Sequence, residues 1–360
     1  MMKARNLHWI YLLLILAALA FPLAWRNDYW ISVAVFFGIY ALLGLSLNII
    51  VGYAGLFQLG HAAFWAVGAY TTAILNTRFG VPIFLALPLS ALVSAIFAIL
   101  ISKPILHLRG DYLCIVTIGF GEIVRIFLYN DPFGITGGVN GIRGIDRPAL
   151  PLGPLADILL ASGVNPKNPG ILGLLGFSIK DQSLIFQRPT AYYYLVLLFV
   201  LFTILAMRRL EDSRLGRAWT CVREDELAAE AMGIDTIYVK LLAFAIGAAW
   251  AGLAGTLYAS RYTVIAPETF SFWNSVVMFC IVVLGGTGSI PGVMVGTVGM
   301  VVLPELLRDI LKEVLNWRML VFGAAMVLMM IFRPEGLWPS RRIRLEMRVE
   351  EEEAAPVPAS

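Results

Sequence analysis

Along most of the chain the polar positions do not alternate with the apolar ones; they interrupt them only at intervals of about twenty residues. Apolar runs cover 9–25, 30–51, 56–76, 82–101, 112–130, 191–207 and 240–260. Two shorter runs, 270–284 and 290–303, flank the turn from Gly285 to Ser289, and a last one covers 318–332. A helix needs about 20 mostly apolar residues to cross a bilayer. The pattern therefore predicts an all-α membrane protein, a polytopic bundle of about 10 transmembrane helices. The count drops to nine if the two short runs form one re-entrant pair.

Composition supports lipid as the solvent. Of 360 residues, 59% are hydrophobic and 14% charged, against about 25% charged in soluble domains; the mean hydropathy is +0.80. The net charge of +3 is no sign of nucleic acid, because the basic residues sit in a few loops. With the N-terminus placed inside, fifteen Lys and Arg fall on cytoplasmic segments (among them Lys3, Arg5, Lys103, Arg109, Arg208 to Lys240, and Arg333 to Arg348). The short outer loops hold six. The positive-inside rule then puts both termini in the cytoplasm. A rival reading takes Lys3 and Arg5 as the n-region of a signal peptide cleaved near Ala18-Leu19-Ala20.

Residues 1–340 form the expected transmembrane domain, and 341–360 a cytoplasmic tail, acidic and then Ala/Pro-rich, expected to be disordered. Within the domain, 131–190 is an extracytoplasmic, loop-rich segment with ten Gly and seven Pro. The segment 208–239 is charged, Ala-rich and readable as helix.

The chemistry of an enzyme is missing from the pattern. Three histidines, no HExxH and no GxSxG argue against a membrane hydrolase, so no catalytic residue is assigned. Three distant cysteines make neither a disulfide framework nor a metal site. Gly285–Gly292 is glycine-rich, yet no Lys-Ser or Lys-Thr follows, so there is no Walker A loop and no nucleotide cofactor on this chain. Glu122 and Arg125 lie one helical turn apart inside a span, placed either beside a translocation path or as a structural pair. An acid already paired is a poor proton carrier, which weighs against an ion-coupled stand-alone carrier. His61 and Gln58 are intramembrane polar groups, read as interhelical glue or as path residues. Gly285, Gly288, Gly292 and Gly296 recur every three or four residues and, if helical, form a smooth packing stripe. Gly285, Gly286, Gly288 and Gly292 otherwise mark a re-entrant or tight-packing turn between discontinuous helices. In 223–233, acidic residues lead, alanines follow, and Gly233 stops a short helix that a partner protein can grip as a lever.

Five segments carry a resemblance. They are Gly52–Phe64 continuing to Tyr70, Thr136–Ile142, Arg214–Trp219 through Ala228-Ala229 and Gly233 to Gly255, Gly285–Gly292, and Phe332–Leu337. Together and in this order they resemble the permeases of branched-chain amino acid ABC importers. The resemblance implies an all-helical importer permease in the bacterial inner membrane, pairing with a second related permease. Two cytoplasmic ATPases would hold the ATP and Mg, and a solute-binding protein would land on 131–190. It implies that Glu226, Ala228, Ala229 and Gly233 belong to the ATPase-coupling helix, although Leu227 stands where a strict EAA-xxx-G pattern has Glu. Closure of the ATPases would push on 224–233 and shift the helices at 191–207 and 240–260, giving alternating access. Urea or short amides are the alternative cargo within the same family.

Overall fold

The computed structural model describes residues 16–22, 27–106, 111–151, 177–180, 183–186, 188–307 and 336–338. The expected span at 318–332, the tail 341–360 and most of the first run lie outside them. The described helices are α1 (16–22), α2 (Asp28–Asn48), α3 (His61–Phe79), α4 (Ile83–Ile105) and α5 (Asp111–Asn130). They continue with α6 (Pro189–Glu211), α7 (Arg214–Glu224), α8 (Glu226–Ala231) and α9 (Thr236–Tyr262). The last two are α10 (Phe272–Gly285) and α11 (Ile290–Thr297), the latter running on through a π turn to Leu307. Five of them are long and apolar enough to cross a membrane: Asp28–Tyr53, Ile83–Ile105, Tyr112–Asn130, Pro189–Glu211 and Thr236–Tyr262. The short runs are helices of Phe272–Gly285 and Ile290–Leu306, below the length of a full span.

The strands are few and short. Ile142–Arg143 (β1) pairs antiparallel with Val264–Ile265 (β5), and Ala149–Pro151 (β2), Phe177–Lys180 (β3) and Ser183–Phe186 (β4) make a sheet in the order β2-β4-β3. They gather at the far end of α9 from α7 and α8, so the segment 131–190 is not loop alone. With 27 residues at 1.5 Å each, α9 is about 40 Å long, enough to reach from one end of the bundle to the other.

Every residue from Gly38 to Ala54 is buried, as expected of a helix that is apolar all round. This part of α2 is wrapped by α6, α9, α10 and α11. On its other side, α9 packs against α3 and α4. Backbones touch there, because a Cβ on Gly252 would stand 2.6 Å from Ser94 Oγ and 2.8 Å from the Ser90 carbonyl. One on Gly255 would stand 2.6 Å from the Trp65 carbonyl. Small residues substitute for the hydrophobic drive that lipid does not supply. Hydroxyls then bond across the contact: Thr256 Oγ1 lies 2.7 Å from Thr72 Oγ1 and 2.5 Å from Ser90 Oγ.

The third run differs from its sequence reading, which began it at residue 56. Helix α2 ends in a π turn, Ile49–Tyr53, and α3 starts only at His61. Gly55 adopts φ +69°, which breaks the helix. Gly60 has to be glycine because α5 crosses it, and a Cβ there would overlap the Thr117 carbonyl. The α3–α4–α9 contact predicts that Gly252→Val costs at least the ~1–3 kcal/mol of an overpacked core. Thermal unfolding of the detergent-solubilised chain should therefore shift clearly downward, whereas Gly119→Ala, with open space at its Cβ position, should leave it unchanged.

Candidate functional site

At the α7–α8 end, two helix breaks and a pair of short helices form one junction. The first break is the segment Gly52–Gly60; the second is the turn Gly286–Ser289 between α10 and α11. Gly286 (φ +115°) and Gly288 (φ +75°) hold left-handed conformations that glycine alone adopts at no steric cost. The two breaks touch, since the Gly288 N–H donates to Asn48 Oδ1 at 2.8 Å. Residues 336–338 close the junction. The N–H groups of Leu337 and Trp338 donate to the carbonyls of Leu284 and Gly285 at 2.8 and 2.9 Å, and so cap the open end of α10.

The expected glycine stripe is therefore not one helix. Gly285 ends α10, Gly286 and Gly288 form the turn, and Gly292 and Gly296 lie on α11, facing back toward Gly285 and Ile281. Gly292 abuts Gly285 so closely that a Cβ on either residue would overlap the other's backbone. Their spacing places them across a helix hairpin rather than along one face.

Helices α7 and α8 hang below this junction. Ser213 caps α7 by accepting from the Gly216 N–H at 3.2 Å, and buried Trp219 donates its Nε1–H to the Val239 carbonyl at 2.7 Å. The chain turns at Asp225, whose Oδ1 accepts from the N–H groups of Leu227 and Ala228 at 2.9 and 3.0 Å. That cap, together with Gly233 at φ +83°, confines α8 to Glu226–Ala231. Glu226 forms an ion pair of 2.6 Å with Lys240 at the start of α9. The two alanines point opposite ways: Ala229 is buried and Ala228 exposed. The outward face of α8 belongs to Leu227 (65% exposed) and Met232 (83%). A scan for small residues missed these two, and Asp225, Arg223 and Lys240 as well. The signal for Asp225 was its place immediately ahead of an alanine-rich helix.

His61 and Gln58 are both buried in the first break. His61 Nε2 lies 2.7 Å from Ser46 Oγ on α2. Its Nδ1 and Gln58 Oε1 have no partner among the described residues. Glu122 and Arg125 pair on α5, Nε to Oε1 at 2.9 Å, yet they stand apart from the junction and from His61's neighbours. Their side chains are 36% and 26% exposed, on a helix whose outward face is Ile115, Ile123, Ile126 and Phe127. Among the described residues no group of His, Cys, Asp and Glu could hold a metal ion.

At the opposite end the Thr136–Ile142 segment is a cradle. Asp131, itself at φ +45°, accepts backbone N–H groups from Ile135 and Thr136 at 2.6 and 2.8 Å on Oδ1, and from Gly137 at 3.0 Å on Oδ2. Gly141 (φ +64°) presses on the backbone of Ile265 in β5.

With this geometry in place, comparison with known proteins is informative. The family described as the permease component of branched-chain amino acid transport systems matches residues 29–330, and the chain belongs to it. It is a multi-pass membrane protein and a transport subunit rather than an enzyme. A high-affinity branched-chain amino acid transport system permease protein, LivM of Salmonella typhimurium, is 42% identical over 343 residues, covering 93% of this chain and 77% of the relative. LivM of Escherichia coli is 41% identical over 339 residues with the same coverage. The permease protein LivH of Salmonella typhimurium is 38% identical over 125 residues, 35% of this chain and 40% of LivH. No solved structure matches the chain.

Hydrogen bonds from Thr136, then Ile135 and Gly137, hold the Asp131 carboxyl below its ordinary value of 3.8. A carboxylate favoured by folding stabilises above its unfolded pKa and loses that effect as pH falls through the folded one. Protection of the 135–137 amides, measured relative to their intrinsic exchange rates, should thus be high at neutral pH and fall below about pH 4, the range of a free Asp. In Asp131→Ala protection should be low at both pH values.

Proposed function

We propose that this chain is the transmembrane permease subunit of an ATP-driven importer of branched-chain, hydrophobic amino acids. In the bacterial inner membrane it assembles with a second related permease, two cytoplasmic ATPases that carry ATP and Mg, and an extracytoplasmic solute-binding protein. Both termini lie in the cytoplasm, α7 and α8 face the ATPases, and the β-strand end faces outward. The carrying observation is α8. It is a capped six-residue helix that turns apolar side chains, Leu227 and Met232, away from its own chain while gripping α9 through Glu226 and Lys240. A short helix with exposed apolar residues beside broken spans suits a lever that another protein seizes. The cargo follows the names of the relatives, and its selection rests largely on the binding protein.

The face of α5 supports the partner permease. A charged pair within a span is costly against lipid. Among the described residues Glu122 and Arg125 are only partly covered, and the second permease is placed to supply further cover, along a seam the solute crosses by alternating access. ATPase closure would press α8 and shift α6 and α9.

Two outcomes test this reading. Purified in mild detergent, the tagged chain should bring ATPases and a second permease with it. The double variant Leu227→Glu/Met232→Glu should lose the ATPases while keeping the permease partner. Retention of the ATPases by that variant would reject α8 as their dock. In a background where Cys114, Cys221 and Cys280 are replaced, a cysteine at Ile123 should cross-link to the second permease and one at Leu92 on α4 should not. Cross-linking at Leu92 alone would move the seam to α4.

A further inference from the structure

The junction of the two helix breaks is held by one side chain to which the sequence motifs gave no role, Arg223. It is the penultimate residue of α7 and stands two positions before Asp225, the cap of α8. Its stem crosses Gly55, where a Cβ would meet Arg223 Cγ at 2.6 Å. Its Nη1 donates to the Gly52 carbonyl at 2.6 Å. That carbonyl lies in the closing turn of α2, where a helix leaves acceptors without intrahelical partners and favours a cation. The same Nη1 would be 3.6 Å from a Cβ on Gly288 in the α10–α11 turn. Glycine at 55 therefore leaves room for the stem, and the guanidinium lies between the Gly52 carbonyl and the Gly288 turn.

Helix α8 consequently has two handles on the spans. Glu226 ties it to α9 through Lys240. Arg223 ties its entry to the end of α2, and through the Gly288 turn, bonded to Asn48, to α10 and α11. Between the handles is a cleft of about 310 Å³ lined by residues that include Gly55, Phe57, Leu113, Arg223, Glu226 and Lys240. It leaves space for α8 to swing toward the first break while Arg223 stays bound.

We propose that Arg223 is the positioning residue that carries displacement of α8 into the two helix breaks, so that ATP hydrolysis on the partner subunits opens and closes the spans at that end. The proposal rests on the importer reading above. Without Arg223, α8 still docks its ATPase through Leu227 and Met232, and still pulls α9. The α2 end and the α10–α11 turn no longer follow. Lysine keeps the charge but offers a point donor in place of a planar fork, so it restores the effect only in part.

The test uses the chain assembled with its co-purified ATPases, second permease and binding protein in lipid vesicles, and reads solute uptake per ATP hydrolysed. For Arg223→Ala this ratio should fall about tenfold, within the span of measured coupling energies, while hydrolysis persists. Arg223→Lys should lie between Arg223→Ala and the wild type. Arg217→Ala, on the same helix with its Nη1 on the Asp212 carbonyl, should keep the wild-type ratio. An unchanged ratio in Arg223→Ala overturns the proposal. So does parallel loss of hydrolysis and uptake in the assembled complex, which would mark a docking role. If Arg223→Ala fails to assemble, Arg223→Lys decides: a lowered ratio supports the pin and a wild-type ratio rejects it. A wild-type complex without ATP-dependent uptake would instead strike down the importer reading.

Discussion

Inside a bilayer a backbone N–H or C=O has no water to turn to, so any interruption of a helix must be repaired by other parts of the protein. Among the described residues the spans are interrupted at 54–60 and at 286–289, and most of the structure near the α7–α8 end follows from how those interruptions are mended. The Gly288 N–H is met by Asn48, the Leu59 N–H by Thr117 Oγ1 at 3.3 Å, the Ala62 N–H by Ser275 Oγ at 3.0 Å, and the Gly52 carbonyl by Arg223. The open carbonyls of α10 are met by the backbone at 337–338. Each repair comes from an element distant in sequence. The breaks are tolerable only because they face one another, and glycine at 52, 60, 285 and 292 lets the backbones come close enough.

The same constraint accounts for where the family's motifs fall. Three glycine-rich or polar segments near residues 52–60, 285–292 and 336–338 are far apart in the chain and adjacent in space, with helices α7 and α8 joined to them through Arg223. The Thr136–Ile142 segment is the exception. It lies at the opposite end, where Asp131 folds it into a cradle against β5. One end of the molecule thus carries a small, internally bonded platform, and the other carries the interruptions. The helices α3, α4 and α9, locked by glycines and hydroxyls, connect the two ends as a stiff wall.

Much of this was legible in the sequence. Spans at 82–101, 112–130, 191–207 and 240–260 came out because twenty apolar residues in a row have few other uses, and each coincides with a helix a few residues longer. The break before His61 was hidden for the same reason: 54–60 is apolar enough to continue a helix, and only the left-handed Gly55 and the crossing of α5 over Gly60 interrupt it. The glycines at 285–296 allowed two readings, a stripe along one helix or a turn between discontinuous helices, because spacing alone cannot distinguish one helix from a hairpin. In 223–233, composition located α8 but not its orientation, since packing against α7 and α9 is what buries Ala229 and leaves Ala228 exposed. Arg223 looked like one more basic residue of a cytoplasmic loop. What identified it was the Gly52 carbonyl 171 positions earlier, a relation no local pattern contains.

The repairs are also incomplete, and the shortfall is concentrated. Among the described residues, the buried side-chain atoms without hydrogen-bond partners include Asn48 Nδ2, Gln58 Oε1, His61 Nδ1, Trp65 Nε1 and Tyr70 Oη, which run from the end of α2 through the first break into α3. A buried polar atom left unpaired costs about 1–3 kcal/mol, so this stretch carries a cost that the paired hydroxyls between α3, α4 and α9 do not. Rearrangement is least costly where contacts are already unsatisfied, and a shift that found partners for even two of these atoms would recover much of the work needed to move α2 and α3. α8, tied to this stretch by a single guanidinium, therefore meets the spans where their own polar contacts resist displacement least.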